Sequence, residues 1–118
     1  MIYTRIAACA VVTLLILATG AAAHHGWSGY DSSKELTLDG VIKESGYEHP
    51  HGHIRLEVPG KTWVVTLAPP SRMERRGLPS ENLKPGTNAR VVGYPNRTDP
   101  NEMRADLIII DGKTTELR

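Results

Sequence analysis

The sequence predicts an all-β fold, a small five-stranded OB-like barrel with one short helix between the third and fourth strands. From Leu36 onward, apolar and polar residues alternate with the two-residue period of half-buried strands. Gly and Pro turn signals divide this pattern into five segments, whereas a β-sandwich would need about seven strands. The one clear set of helix signals follows Pro69-Pro70.

The first strand is predicted from "ELTLDGVIKESGYE". Its alternation places Leu36, Leu38, Gly40 and Ile42 on one face of the strand. Gly40 and Gly46 interrupt an otherwise continuous segment, and glycine within a strand marks a bulge or a tight bend. Long strands of small barrels bend in this way, so a glycine-bent first strand is expected.

The second and third strands are predicted to form a hairpin. "HIRLEV" and "KTWVVTLA" both alternate, and the turn signal Pro59-Gly60 separates them. The residues expected to face inward are Ile54, Leu56, Val58, Trp63, Val65 and Leu67.

One short helix should follow, since Pro69-Pro70 cannot donate to a strand ladder. Ser71 and Glu74 have the spacing of a capping box, which predicts a helix over 72–76, and Gly77 occupies the position of a left-handed C-cap residue. A further helical turn is expected over 78–83.

The remaining strands follow the break at Lys84-Pro85-Gly86. "NARVVGY" predicts the fourth strand, "NRTDPNE" a polar loop and "MRADLIII" the fifth strand. Asp111-Gly112 is expected to close the fifth strand, leaving a short C-terminal tail.

The N-terminal segment predicts export. Arg5 precedes an apolar run over 6–18, and Ala21-Ala22-Ala23 offers small residues for signal-peptidase cleavage after Ala23. An uncleaved anchor is the alternative, but the run is shorter than the roughly 20 residues that cross a bilayer. The expected organisation is a signal peptide over 1–23, a His-containing segment over 24–35 and the barrel over 36–118. These features predict a periplasmic or secreted protein that has no stable membrane anchor.

Cleavage would leave 95 residues, enough for a single domain, and we expect a monomer. Without Arg5 the chain carries 13 Lys and Arg against 13 Asp and Glu. This neutrality argues against nucleic acid as a partner, because nucleic-acid binders need excess cations. Cys9 would leave with the signal peptide, so no disulfide is expected.

The histidines carry the predicted chemistry. All five lie in two clusters, His24-His25 at the new N-terminus and His49, His51 and His53 in "EHPHGH". On extended backbone, alternate imidazoles would share a face about 6 to 7 Å apart. Two such nitrogens can converge on one metal ion at about 2.0 to 2.1 Å.

Cleavage after Ala23 would add the α-amine of His24 as a further nitrogen donor, with a reference pKa of about 7.7 to 8.0. Nitrogen-only sites favour copper, the first choice here, with zinc second. We therefore predict a copper-binding protein of periplasmic metal handling, with a periplasmic protein as a further partner. The predicted metal ligands are His24, His25, His49, His51 and His53.

Metal-free alternatives remain open. The histidines could be solvated polar residues of a frayed terminus and a turn. The barrel would then be an OB-like binding or interaction module for a protein or small ligand. Trp27 and Tyr30 could pack over a metal or pin the N-terminal segment to the barrel, and pinning is the favoured interpretation.

No catalytic constellation is evident. Ser71 has no neighbouring histidine in the sequence, and no glycine-rich loop leads from a strand into a long helix. The protein is therefore not expected to be an enzyme, and redox chemistry at copper is the one enzymatic option with a rationale.

Four stretches together resemble a known family: "AHHGWSGYD", "YEHPHGHIRLEVPGKTW", "LAPPSRMERRGL" and "VVGYPNRTDPNEMRA". They are similar to the short secreted bacterial proteins of a domain-of-unknown-function family, number 6152. Its members open with a signal peptide and Ala-His-His before a small β-rich domain. The resemblance spans essentially the whole chain and implies a bacterial, exported, OB-like protein. It implies no activity and no functional residues.

Overall fold

The structure, a computed structural model, describes residues 26–118. The signal peptide predicted over 1–23, together with His24 and His25, lies outside these residues. No helix within 26–118 is long and apolar enough to cross a membrane. The described strands and α-helix are β1 (Leu36–Gly46), β2 (His53–Val58), β3 (Lys61–Thr66), α1 (Pro70–Arg75), β4 (Asn88–Pro95), β5 (Glu102–Ile110) and β6 (Lys113–Glu116). Two 3₁₀ segments cover Trp27–Gly29 and Ser80–Leu83.

Five of the strands close into a barrel in the order β3-β2-β1-β4-β5. The long strand β1 pairs with β4 over 36–41 and with β2 over 41–46, both antiparallel. A parallel pairing of β3 with β5 closes the ring. With α1 between the third and fourth strands, this arrangement confirms the predicted OB-like barrel.

The apolar faces of the strands meet inside the barrel. Side chains predicted to face inward from the hairpin are buried there, with Ile54, Leu56 and Val65 fully inaccessible to solvent. Trp63 and Val58 are partly buried and pack against the edge of this core. The alternation of the sequence therefore identified the inner face of β2 and β3 correctly.

The bulge in β1 lies after Gly40, the glycine at which a bend was predicted. Its register with β2 shifts between Ile42 and Glu44, past Gly40. Gly40 is needed for a different reason, because a Cβ atom there would lie 2.3 Å from the Glu57 carbonyl oxygen. The residue permits close approach of two strands, and the bulge follows it.

The helix α1 begins earlier than predicted. Its N-cap is Pro69, which has no side-chain cap, and Ser71 lies in the first turn, so the predicted capping box is wrong. Met73 projects from α1 into the core and is fully buried. Gly77 adopts a φ of 83°, which confirms the predicted left-handed residue after the helix.

The chain after Ile110 is not a simple tail, and that prediction is wrong. Asp111 and Gly112 have φ values of 51° and 75°, the left-handed geometry of a tight hairpin turn. The chain reverses there and β6 pairs antiparallel with β5. Leu117, only 2% exposed, then joins the core.

Candidate functional site around Arg104

The segment before β1 is held against the outside of the barrel. Tyr30 forms an isolated antiparallel bridge with Asn96. Arg97 binds the segment twice, donating its amide N–H to the Gly29 carbonyl at 2.9 Å and its Nε to the Ser28 carbonyl at 3.1 Å. The predicted pinning of the N-terminal segment to the barrel is therefore confirmed.

Trp27 is the centre of this contact. The guanidinium carbons of Arg104 and Arg118 each lie 4.4 Å from the centroid of its ring. The rings of Tyr30 and Tyr94 lie beside it, both with centroids 6.2 Å away. Cation–π attraction and aromatic packing together fix the ring on the barrel.

Arg104 is the charged residue beneath that ring. Its neighbours on β5, Met103 and Ala105, face the core, and Arg104 is only 7% exposed. Burial is the largest influence on the pKa of Arg104 and lowers it, and the positive charges of Arg72 and Arg118 act in the same direction. The surroundings of Trp27 thus hold concentrated positive charge.

An acidic group lies on the same side of β5. Glu102 accepts a hydrogen bond from the Tyr30 hydroxyl at its Oε1 atom, and the Asn96 amide nitrogen lies 3.4 Å from the same oxygen. Burial raises the pKa of Glu102 above its usual range. Burial and the bond to Glu102 raise the pKa of Tyr30 to about 12, so Tyr30 is a neutral donor at physiological pH.

His51 reaches the same site from the connection between β1 and β2. Its Nε2 atom lies 3.3 Å from a terminal nitrogen of Arg104. Because a guanidinium only donates, Nε2 accepts this hydrogen bond, and the proton of the neutral ring is on Nδ1. Arg104 is therefore in contact with both Trp27 and His51.

The other two histidines of the second cluster have different surroundings. His49 is exposed. His53, at the start of β2, is also exposed and lies against Gly46, where an added Cβ would be 2.2 Å from its ring. Among residues 26–118, no three His, Cys, Asp or Glu side chains form a group that could hold a metal ion. His49, His51 and His53 thus do not make such a group without donors from outside this range.

The sequence interpretation missed several residues of this site, namely Glu102, Tyr94, Arg104 and Arg118. One signal was present, because the alternation of "EMRAD" places Glu102 and Arg104 on the outer face, opposite the core residue Met103. Two charged residues on one face beside two aromatic residues of the N-terminal segment would have suggested a covered polar site.

Comparison with known proteins adds a family. A protein-family model described as "Family of unknown function (DUF6152)" matches residues 10–103. The matched range includes the segment before β1, the first four strands and the start of β5. No curated protein matches the chain.

Proposed function

The chain belongs to DUF6152, a family of unknown function, and we propose that it is an exported barrel that binds a late transition metal. Copper is the first choice and zinc the second. The ligands come from His24 and His25 and from His51, with His49 as a further donor. The protein serves periplasmic metal handling.

The position of Arg104 carries this proposal. Its guanidinium carbon lies 4.4 Å from the Trp27 ring centroid, and its terminal nitrogen lies 3.3 Å from His51 Nε2. Consecutive Cα atoms are about 3.8 Å apart, so the backbone of His25 is within about 8 Å of that of Trp27. The proposal requires that His24 and His25, which precede Trp27 in the sequence, approach His51 closely enough to share one ion with it.

The chemistry of the donors favours copper. Cleavage after Ala23 gives His24 a free α-amine, which can chelate together with its own ring. The His51 imidazole supplies a nitrogen from the barrel. Nitrogen donors in a tetragonal array suit Cu(II), which heads the Irving–Williams order. Because the Nε2 lone pair of His51 accepts from Arg104, coordination through Nε2 replaces that hydrogen bond.

A native mass spectrum tests the proposal directly. The protein is exported with its own signal peptide and purified without a tag or chelator. We expect a chain that begins at His24 and carries one copper ion. Such a chain remaining metal-free after one equivalent of Cu(II) would overturn the proposal.

Variants locate the ligands. The double variant His24→Ala/His25→Ala, or one extra residue before His24, should abolish stoichiometric copper binding. His51→Ala should weaken copper binding. His49→Ala and His53→Ala test whether these two exposed histidines also contribute to it. Ser32→Ala, an exposed change in the same N-terminal segment, is the matched control and should bind as the parent does.

A metal-free binding module is the second candidate, favoured by two open concavities beside Gly40. One, of about 470 Å³, lies between β1 and β4, and the other, of about 660 Å³, lies between β1 and the turn around Pro59 and Gly60. Both volumes are in the range of small-ligand sites, roughly 300 to 1,000 Å³. This candidate predicts that the histidine variants have no effect on ligand binding.

A further inference from the structure

We propose that a cavity between the second 3₁₀ segment, Ser80–Leu83, and the hairpin of β5 and β6 binds a small amino alcohol. It is here called the hairpin cavity, and Glu81, Asp111 and Thr115 are among the residues that line it. The ammonium group of the ligand lies with the two carboxylates, and its hydroxyl bonds to Thr115. No histidine of residues 26–118 lines the hairpin cavity, so the inference goes beyond the proposed function and does not depend on a metal.

The hairpin cavity has an apolar interior and a charged mouth. Its volume of about 320 Å³ lies at the lower end of small-ligand sites, roughly 300 to 1,000 Å³. Leu78 and Ile108 line it and are buried, whereas Glu81, Asp111 and Lys113 line it and are exposed. A ligand that matches both parts has an apolar stem and a charged end.

Hydrogen bonds hold the walls of the hairpin cavity in place. Lys113 of β6 donates its Nζ to the Gly77 carbonyl at 2.7 Å, which joins the hairpin to the segment after α1. On that segment, the Leu78 carbonyl accepts a 2.7 Å hydrogen bond from the Tyr47 hydroxyl. The hairpin turn holds Asp111 at a φ of 51°. Such a preformed cavity lowers the ordering cost of binding a ligand.

Thr115 is a buried polar side chain in the hairpin cavity. It is 3% exposed and stands opposite Ile108 in the pairing of β5 with β6. Within residues 26–118, its hydroxyl has no hydrogen-bond partner. A hydroxyl both donates and accepts, and leaving it unpaired in a buried place is unfavourable. A second hydroxyl, brought by a ligand, can satisfy it.

The mouth of the hairpin cavity carries excess negative charge. Glu81 accepts a 3.4 Å hydrogen bond from Ser80, and neither Glu81 nor Asp111 forms an ion pair within residues 26–118. The nearby ammonium of Lys113 donates to a carbonyl oxygen. Two carboxylates therefore stand beside one cation, and a cationic ligand balances them.

An organic cation fits this mouth better than a metal ion. No three His, Cys, Asp or Glu side chains of the described chain form a group that could hold a metal ion. An ammonium group needs fewer ligands, because its N–H donors form charge-assisted hydrogen bonds with carboxylates. It can also remain partly in water at the mouth, which avoids the cost of burying a charge.

The orientation of the ligand follows from the exposure of these groups. The exposed carboxylates of Glu81 and Asp111 bind the ammonium, and the buried Thr115 bonds to the neutral hydroxyl. Between the two ends, the apolar stem lies against Leu78 and Ile108, where its removal from water is favourable.

An NMR titration of the purified protein compares three ligands with the same carbon chain. They are aminopentanol with its two groups at opposite ends, pentylamine, and pentanoate with a terminal hydroxyl. Methyl resonances of Thr115 and Ile108 report on the hairpin cavity, and Ile54, a core residue that does not line it, is the reference.

We expect saturable shifts of the Thr115 and Ile108 methyls with aminopentanol. Pentylamine, which lacks the hydroxyl, should bind about fivefold more weakly, and the hydroxypentanoate, which reverses the charge, about tenfold more weakly or less still. Absence of a saturable shift with aminopentanol would overturn the proposal. Equal affinity for aminopentanol and the hydroxypentanoate would overturn it as well.

Thr115→Val tests the inner contact, because Val has nearly the same shape without a hydroxyl. The affinity for aminopentanol should fall about fivefold, to that of pentylamine, while the affinity for pentylamine stays as in the parent. An equal fall for both ligands, or no fall for aminopentanol, would defeat the role given to Thr115.

A matched pair of double variants tests the mouth. Glu81→Gln/Asp111→Asn should weaken aminopentanol binding about tenfold, and Asn tolerates the left-handed backbone at residue 111. Glu35→Gln/Glu48→Gln removes the same charge from exposed residues that do not line the hairpin cavity, and it should bind as the parent does. Equal affinities of the two double variants for aminopentanol would defeat the ammonium site.

Discussion

Arg104 donates a hydrogen bond to Nε2 of His51 across 3.3 Å. The same guanidinium stacks on Trp27, so one buried cation joins the N-terminal segment to the connection between β1 and β2. Within residues 26–118, no strand pairing joins these two parts of the chain. Trp27 and His51 are therefore linked through a side chain of β5.

Replacing Arg104 should loosen the N-terminal segment. Arg104→Met keeps an apolar stem but loses the contacts with Trp27 and His51, and we expect a loss of about 1–3 kcal/mol in the free energy of unfolding. Arg104→Lys should lose less, because the charge remains. Urea unfolding monitored by tryptophan fluorescence measures both, with the exposed Arg55→Met as control. Parent-like stability of Arg104→Met would show that the contact is dispensable.

Glu102 should make stability depend on pH. Its pKa is raised by burial, so the neutral carboxyl is favoured in the folded protein. Its stabilising contribution is complete below its ordinary pKa and is lost as the pH rises through the higher folded value. Glu102→Gln, which keeps the acceptor for Tyr30, should therefore gain stability relative to the parent as the pH rises from 4 to 7. A constant difference between the two urea midpoints over this range would contradict the assignment.

Tyr30 should ionise late. Its pKa of about 12 predicts that one phenol titrates well above the usual value of 10. The neutral hydroxyl stabilises the fold fully below pH 10, and this contribution is lost as the pH rises toward 12. Near-ultraviolet absorbance of the phenolate measures the transition. Tyr30→Phe should remove the part of the titration curve that appears at the highest pH. Retention of that part in the variant would assign it to another tyrosine.

The approach of β4 to β5 should not tolerate a methyl group at residue 93. A Cβ atom on Gly93 would lie 1.9 Å from the Arg104 carbonyl oxygen, a backbone atom that cannot move aside cheaply. We expect Gly93→Ala to lower the free energy of unfolding by about 1–3 kcal/mol or more. Gly29→Ala, where no heavy atom lies within 4 Å, is the control and should be nearly neutral. Thermal unfolding of both variants gives the comparison, and similar midpoints would refute the expectation.

The end of the chain should contribute to the core. Leu117 is 2% exposed, so Leu117→Ala is expected to cost about 2–5 kcal/mol of unfolding free energy. The neighbouring exposed change Glu116→Ala should cost little. Equal denaturation midpoints for the two variants would mean that the C-terminal segment adds nothing to the core.

The inner faces of the strands could be predicted because they depend on local alternation. Ile54, Leu56 and Val65 each have polar neighbours in the sequence on at least one side, and burial of one face is sufficient to make that pattern. Local signals of a different kind, Pro69-Pro70 before the helix and Gly77 after it, placed α1 correctly between the third and fourth strands, although its first turn uses Pro70 in place of a capping side chain.

The outer face could not be predicted, because what covers it comes from distant parts of the chain. Arg104 occupies an outward strand position, where exposure is the usual expectation, yet it is buried and lies against the Trp27 ring. The strand β6 was missed for a more avoidable reason. Asp111-Gly112 is a strong signal for a two-residue hairpin turn, and it was interpreted only as the end of β5.

The bond between Tyr30 and Glu102 joins residues 72 positions apart, and that between Arg97 and Ser28 spans 69. During synthesis from the N-terminus, the segment before β1 emerges long before the strand that receives it. Such long-range closure slows folding, because loop entropy is lost before contacts compensate for it. The N-terminal segment can therefore reach its final place only after nearly the whole chain has been synthesised.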